Sequence, residues 1–281
     1  MKPRLTGAYI GDIIGGPYEC TYDNALDERI LITSASKCTD DSFLTSVIAQ
    51  TLSKVPALFL PQHEHELSLA VEAGFIQMVK ICPERGFSRG FTEWANGLQP
   101  PNSAGNGSLM RLSGIPWLAP SLESALRVSE VIRVISHNNE ATKTPVIELT
   151  TLLFNLKKEF VAQSYAPLGK DTLLSVLKKQ GIERSRDQAS MELFREKHIF
   201  TRSAPATWNL VLNLLPMVTS FEQAIRLAIW AGGDTDTVAS ILGAILEFIY
   251  PIPAHLLHAS QPLFKTIPNV TDGSFPLIVD V

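Results

Sequence analysis

Cysteine is scarce in this chain of 281 residues, and Cys20, Cys38 and Cys82 are widely spaced with no C-x-x-C pair. Neither a disulfide framework nor a cysteine zinc site is indicated, and a reducing, cytoplasmic setting fits. A basic excess is missing as well. The formal net charge is -4, which leaves no cationic footprint for nucleic-acid phosphates or anionic membranes. Nucleic acid is therefore not expected as the principal partner. Long apolar runs are absent: Val238 to Tyr250 is interrupted by Ser240 and Glu247 and stopped by Pro251 and Pro253. That stretch is too short to span a bilayer and reads as a buried helix. The start of the chain reaches Asp12 before a signal-peptide core has room.

What is present is a chain 45% hydrophobic, enough to bury a sizeable core. Its apolar residues recur at spacings of three and four, with few alternating runs, so the expected fold is mainly α-helical. The pattern predicts helices over residues 5–15, 41–53, 64–81, 122–136, 144–158, 173–179, 221–231 and 235–250. One domain over 1–281 is expected, because the Gly and Pro breakers fall beside polar motifs rather than between two cores. Residues 163–204 carry the least pattern.

Two acidic clusters stand out. Asp234-Thr235-Asp236-Thr237 follows Gly232-Gly233 and runs into an apolar helix, and Thr39-Asp40-Asp41-Ser42 opens another. Capping is the plain alternative, since Asp and Thr accept hydrogen bonds from orphan N–H groups and complement the positive helix end. Two carboxylates and two hydroxyls in four positions exceed that need and supply hard oxygen ligands suited to Mg²⁺ or Mn²⁺. If the clusters meet, they could hold two divalent ions about 3.5–4 Å apart, an arrangement that positions and activates water.

Gly7, Gly11 and Gly15 lie four residues apart on one helical face. Each internal Gly costs about 1 kcal/mol of helix propensity, so the stripe asks for a closely approaching backbone, and the helix carrying Gly243 and Ala244 is the expected partner. That packing would bring Glu19 toward the clusters, although Glu19 also reads as a surface residue. Gly105-Asn106-Gly107-Ser108-Leu109-Met110-Arg111 reads as an Asn-Gly turn or as an anion-binding nest. His137 ends a helix, as a cap or a substrate contact. His63-Glu64-His65-Glu66 lacks the four-residue spacing of a metalloprotease motif and reads as a solvated helix start.

Taken in order, these five segments resemble the ADP-ribosylglycohydrolase family over residues 7–251. The resemblance implies an all-α, orthogonally packed domain with a central cleft for two Mg²⁺ or Mn²⁺ ions. It implies Thr39, Asp40, Asp41, Asp234, Asp236 and Thr237 as metal ligands, with Asp236 bridging. Glu19 and Asp40 would be the catalytic carboxylates. Ser103, Gly105, Asn106, Gly107, Ser108, Met110 and His137 would bind substrate, Gly105 to Ser108 holding the diphosphate and distal ribose. The implied reaction hydrolyses the bond between ADP-ribose and a protein side chain, nucleotide or small molecule; nucleic acid enters only as an ADP-ribosylated substrate. Ser42 replaces a common Thr. Ser103-Ala104 replace the Asp of arginine-directed members and the adenine-stacking aromatic of others, so the resemblance does not imply an arginine acceptor. Two alternatives accompany this reading: a binder of ADP-ribose or of an ADP-ribosyltransferase without turnover, and a helical structural protein with acidic caps.

Overall fold

A computed structural model describes residues 4–21, 31–182 and 202–268. Among them lie helices α1 (Thr6–Gly15), α2 (Asp40–Lys54), α3 (Glu64–Ile81), α4 (Arg89–Ala95), α5 (Gly107–Met110), α6 (Gly114–Leu118) and α7 (Leu122–Ser136). They are followed by α8 (Lys143–Ala162), α9 (Lys170–Lys179), α10 (Ala204–Leu214), α11 (Phe221–Ala231), α12 (Thr235–Leu246) and α13 (Ala254–Phe264). The described residues contain no β-strand, only the isolated bridges Asn102–His137 and Gly105–Ser203. The fold is all-α.

Local chemistry sets the helix ends. Ser121 and Ser124 form a reciprocal capping box at the start of α7, whose buried Ala125, Val128, Ile132 and Ile135 share a face. The last turn of α11 stops at Gly232 (φ 76°) and Gly233 (φ 81°). Both occupy the left-handed region that glycine enters without steric cost. Two consecutive left-handed residues turn the chain sharply and deliver Asp234 to the start of α12.

Among the described helices, α1 and α12 approach backbone to backbone, and both are buried along their whole length. A Cβ at Gly7, Gly11 or Gly15 would overlap backbone atoms of Gly243, Ala239 and Thr235 respectively. This descending order makes the pair antiparallel, so the glycine stripe meets the small-residue helix as its spacing demands. The end of α1 is thereby fixed beside the start of α12, where Thr235 Oγ1 donates to the Gly15 carbonyl at 2.8 Å.

Helices 64–81, 122–136 and 221–231 match the expected bounds, whereas α8 is longer and α12 ends at Leu246. Five helices carry no clear periodic signal. α4, α5 and α6 are short, and α13 contains Pro262. α10 buries Trp208, Leu210, Val211, Leu212 and Leu214 on several faces, which erases an amphipathic period. Residues 183–201 of the weakly patterned stretch lie outside the described ones.

Candidate active site

The first cluster is built from behind. Asp12, fully buried on α1, accepts from Thr39 N at 2.9 Å, Thr39 Oγ1 at 2.5 Å, Ser42 N at 3.2 Å and Ser42 Oγ. Thr39 Oγ1 in turn accepts from Asp41 N at 3.3 Å, capping α2. Asp12 is thus a brace whose acceptor capacity is nearly filled. Sequence reasoning missed it; the available signal was a lone carboxylate on an otherwise apolar helix. Asp40 is partly exposed and takes its backbone position from a 2.7 Å bond to the Arg85 carbonyl. Asp41 is buried, and its Oδ1 has no hydrogen-bond partner.

The second cluster settles the capping question for α12. Asp234 occupies the N-cap position, yet its side chain makes no capping bond. It accepts instead from Asn106 Nδ2 at 2.9 Å. Thr237 Oγ1 donates to Asp41 Oδ2 at 3.4 Å, linking positions 196 residues apart. Carboxylate oxygens of Asp12, Asp41 and Asp236 lie within 4.8 Å of one another, as do those of Glu19, Asp234 and Asp236. Asp236 belongs to both groups.

Glu19 follows the turn Gly16–Tyr18, and the next residue, Cys20 (φ 61°), donates its N–H to the Gly233 carbonyl at 2.9 Å. A non-glycine residue held at positive φ is uncommon, and here it clamps the Glu19 loop to the second cluster. Arg202 forms an ion pair with Glu19 and places Nε 3.7 Å from Asp234 Oδ2. Nothing in the sequence marks Arg202, because its role depends on tertiary placement.

The carboxylates are under-neutralised. Burial pushes Asp40 up to about 8, with Asp12 and Asp234 adding repulsion. Burial also raises Asp41, Asp236 and Asp12, assisted for the first two by neighbouring carboxylates. An orphaned buried oxygen at Asp41, hard donors throughout and a carboxylate shared by two groups fit divalent cations such as Mg²⁺ or Mn²⁺.

The glycine loop faces these acids. Gly105, Gly107 and Met110 line the cleft with Ser103, and Asn106 ties the loop to α10 through Thr207 Oγ1 at 3.1 Å. Ser108 does not line it; its hydroxyl is spent on the Gly105 carbonyl at 2.9 Å. A Cβ at Gly107 would sit 3.0 Å from His137 Nε2, so glycine keeps this nitrogen accessible. His137 Nδ1 lies 2.9 Å from Arg111 Nη2 and 2.8 Å from Ser136 Oγ. Burial, with the charges of Arg111 and Arg133, lowers its pKa well below the ordinary value. The ring is therefore neutral, and since Arg111 must donate to Nδ1, the proton sits on Nε2, toward the loop. Arg111 is fully buried beneath Phe75 and Phe91, which lie 4.6 and 5.6 Å away.

The cleft, of about 180 Å³, adjoins a second cavity of about 370 Å³. They share Ser88, Phe91, Ser103 and His137, and the second adds Trp94, Gln99 and Asn102.

Helices packed round converging buried carboxylates define an all-α protein with an acid-lined catalytic-type cleft. The profile of the ADP-ribosylglycohydrolase family matches residues 3–272, and the chain belongs to that family. A solved structure described as an ADP-ribosylglycohydrolase-related protein complex is 21% identical, with 92% of each chain covered and a TM-score of 0.60, a likeness of fold. Among curated proteins, no sequence matches significantly. Family membership brings ADP-ribosyl glycohydrolase-type activity in general terms. No helix among the described residues is long and apolar enough to cross a membrane.

Of the residues expected to act, Glu19, Asp40, Asp41, Asp234, Asp236, Thr237, Ser103, Gly105, Asn106, Gly107, Met110 and His137 line one cleft, with Thr39 buried just behind. Ser108 and Asp12 stand behind the cleft wall, and His63 lies elsewhere, where Nδ1 meets Glu66 Oε2 at 2.7 Å at the start of α3.

Proposed function

We propose that the protein is a divalent-cation-dependent hydrolase that cleaves the glycosidic bond between ADP-ribose and an acceptor, releasing ADP-ribose. The observation that supports this most is the convergence of acids from both ends of the chain, with Asp41 Oδ1 buried and unpartnered and Asp236 common to two carboxylate groups. Thr39, Asp40, Asp41, Asp234, Asp236 and Thr237 would hold two Mg²⁺ or Mn²⁺ ions. Such ions supply Lewis-acid grip on hydroxyls and acidify water.

The protein's own groups carry the rest. Cleavage at an anomeric carbon develops oxocarbenium-like positive charge, which the preorganised carboxylates stabilise electrostatically. Asp40, partly exposed on the cleft wall, is placed to exchange a proton with water or the departing acceptor. Glu19, at the rim, is the second candidate for proton relay. His137 donates through Nε2–H to a substrate oxygen approaching over Gly105 and Gly107, whose missing side chains leave room for it. Two adjoining cavities suit a long ligand with its ribose at the acids and its nucleotide end toward Phe91 and Trp94.

The test is a panel of arginine-, serine-, glutamine- and nucleobase-linked ADP-ribose substrates with Mg²⁺ or EDTA. Cation-dependent release is expected. Full turnover by demetallated protein would contradict the mechanism, and ADP-ribose binding with no turnover of any linkage would favour a binding protein.

A further inference from the structure

We propose that Arg202 is a tethered cation that occupies the Glu19 side of the cleft and must be displaced before a divalent ion binds there. The inference rests on the cation reading above and adds a gate to it. Arg202 engages Glu19 and Asp234, two of the three members of one carboxylate group; the third, Asp236, is shared with the group that also holds Asp12 and Asp41. A guanidinium and a divalent ion cannot share one carboxylate pair, because like charges at that range repel. Arg202 cannot leave by losing its proton, so it leaves only by rotating away.

The backbone permits that motion and limits it to the side chain. Arg202 O accepts from Asn106 N at 2.7 Å, and Ala204 N donates to the Ala104 carbonyl at 2.9 Å, fixing the main chain against the glycine loop. The side chain is 51% exposed, and exposed ion pairs of this kind contribute little that a divalent ion could not outweigh. Arg111, a second guanidinium among the described lining residues, is buried beneath two aromatic rings. Among the described residues, the cleft is thus lined by one caged guanidinium, Arg111, and one half-exposed guanidinium, Arg202.

The experiment is calorimetric titration of the full chain with MnCl₂ for wild type, Arg202→Gln and Arg202→Lys, with melting curves in EDTA to verify folding. In Arg202→Gln, one of two Mn²⁺ sites is expected to tighten about tenfold while the other stays unchanged. Arg202→Lys, which keeps a mobile charge, is expected to fall between. Unchanged or weaker binding in Arg202→Gln overturns the proposal, and so does equal tightening at both sites, which reports a general field rather than displacement. Absence of Mn²⁺ binding by wild type and variants alike would bring down the cation reading itself, and the gate with it.

Discussion

At the start of α2, Thr39 caps the helix and hydrogen-bonds Asp12, which also holds Ser42; at the start of α12, Asp234 leaves its helix uncapped and turns to Asn106 and Arg202. The same residue types thus open two helices in different ways. One half of the cleft is preorganised by a buried carboxylate brace, whereas in the other the Asp234 side chain meets a long-range amide and a half-exposed guanidinium. Mutations behind the first half should disturb stability and binding together, whereas mutations around the second should separate them.

Asp236 belongs to both halves, so its loss is expected to have the largest effect. Asp236→Asn should weaken Mn²⁺ binding by more than about a hundredfold in calorimetry. It should also leave the melting temperature of the cation-free protein unchanged or higher, since one repelling charge is gone. Unchanged Mn²⁺ affinity would dissolve the link between the halves.

Glu247 serves as a reference outside the cleft. It accepts from Gly7 N at 2.7 Å, and burial pushes its carboxyl from 4.5 up to about 7. A raised carboxylate favours the protonated fold, so its contribution is full below pH 4.5 and declines as pH rises to about 7. Against Glu247→Gln, wild-type stability should fall by up to about 3 kcal/mol across that window in denaturant titrations. A flat difference would show that the carboxyl titrates normally.

Asp12→Asn removes acceptor capacity from Thr39 and Ser42, and is expected to cost about 2 kcal/mol in urea unfolding while weakening Mn²⁺ binding in parallel. Asn106→Ala should cost only about 1 kcal/mol, yet still reduce turnover by freeing Asp234 and loosening the glycine loop. Equal stability losses for these two variants would erase the distinction between braced and adjustable halves.

The fold was legible wherever helices are amphipathic. The glycine stripe was more informative than any apolar period, because three missing side chains at four-residue spacing demand a partner backbone, and α12 provides it. α10 escaped notice because its apolar residues face several directions, and α4 to α6 because one or two turns leave no period to read. Within the cleft, the acidic clusters were visible as local excess. Their meeting was implied by the family resemblance and not by spacing, which says nothing of the Thr237–Asp41 bond across 196 residues. Asp12 lay hidden in an apolar helix, and Arg202 in a stretch without pattern. Ser108 was drawn toward the substrate by its place in the glycine motif, whereas its hydroxyl closes the loop on Gly105.

The central claim is that carboxylates from distant parts of the chain jointly hold divalent cations. Anomalous diffraction from crystals grown with Mn²⁺ tests it most directly. Peaks within ligand distance of Asp236, flanked by Asp41 on one side and Asp234 on the other, are the predicted result. Fully occupied Mn²⁺ peaks elsewhere, with none between these three residues, would contradict it.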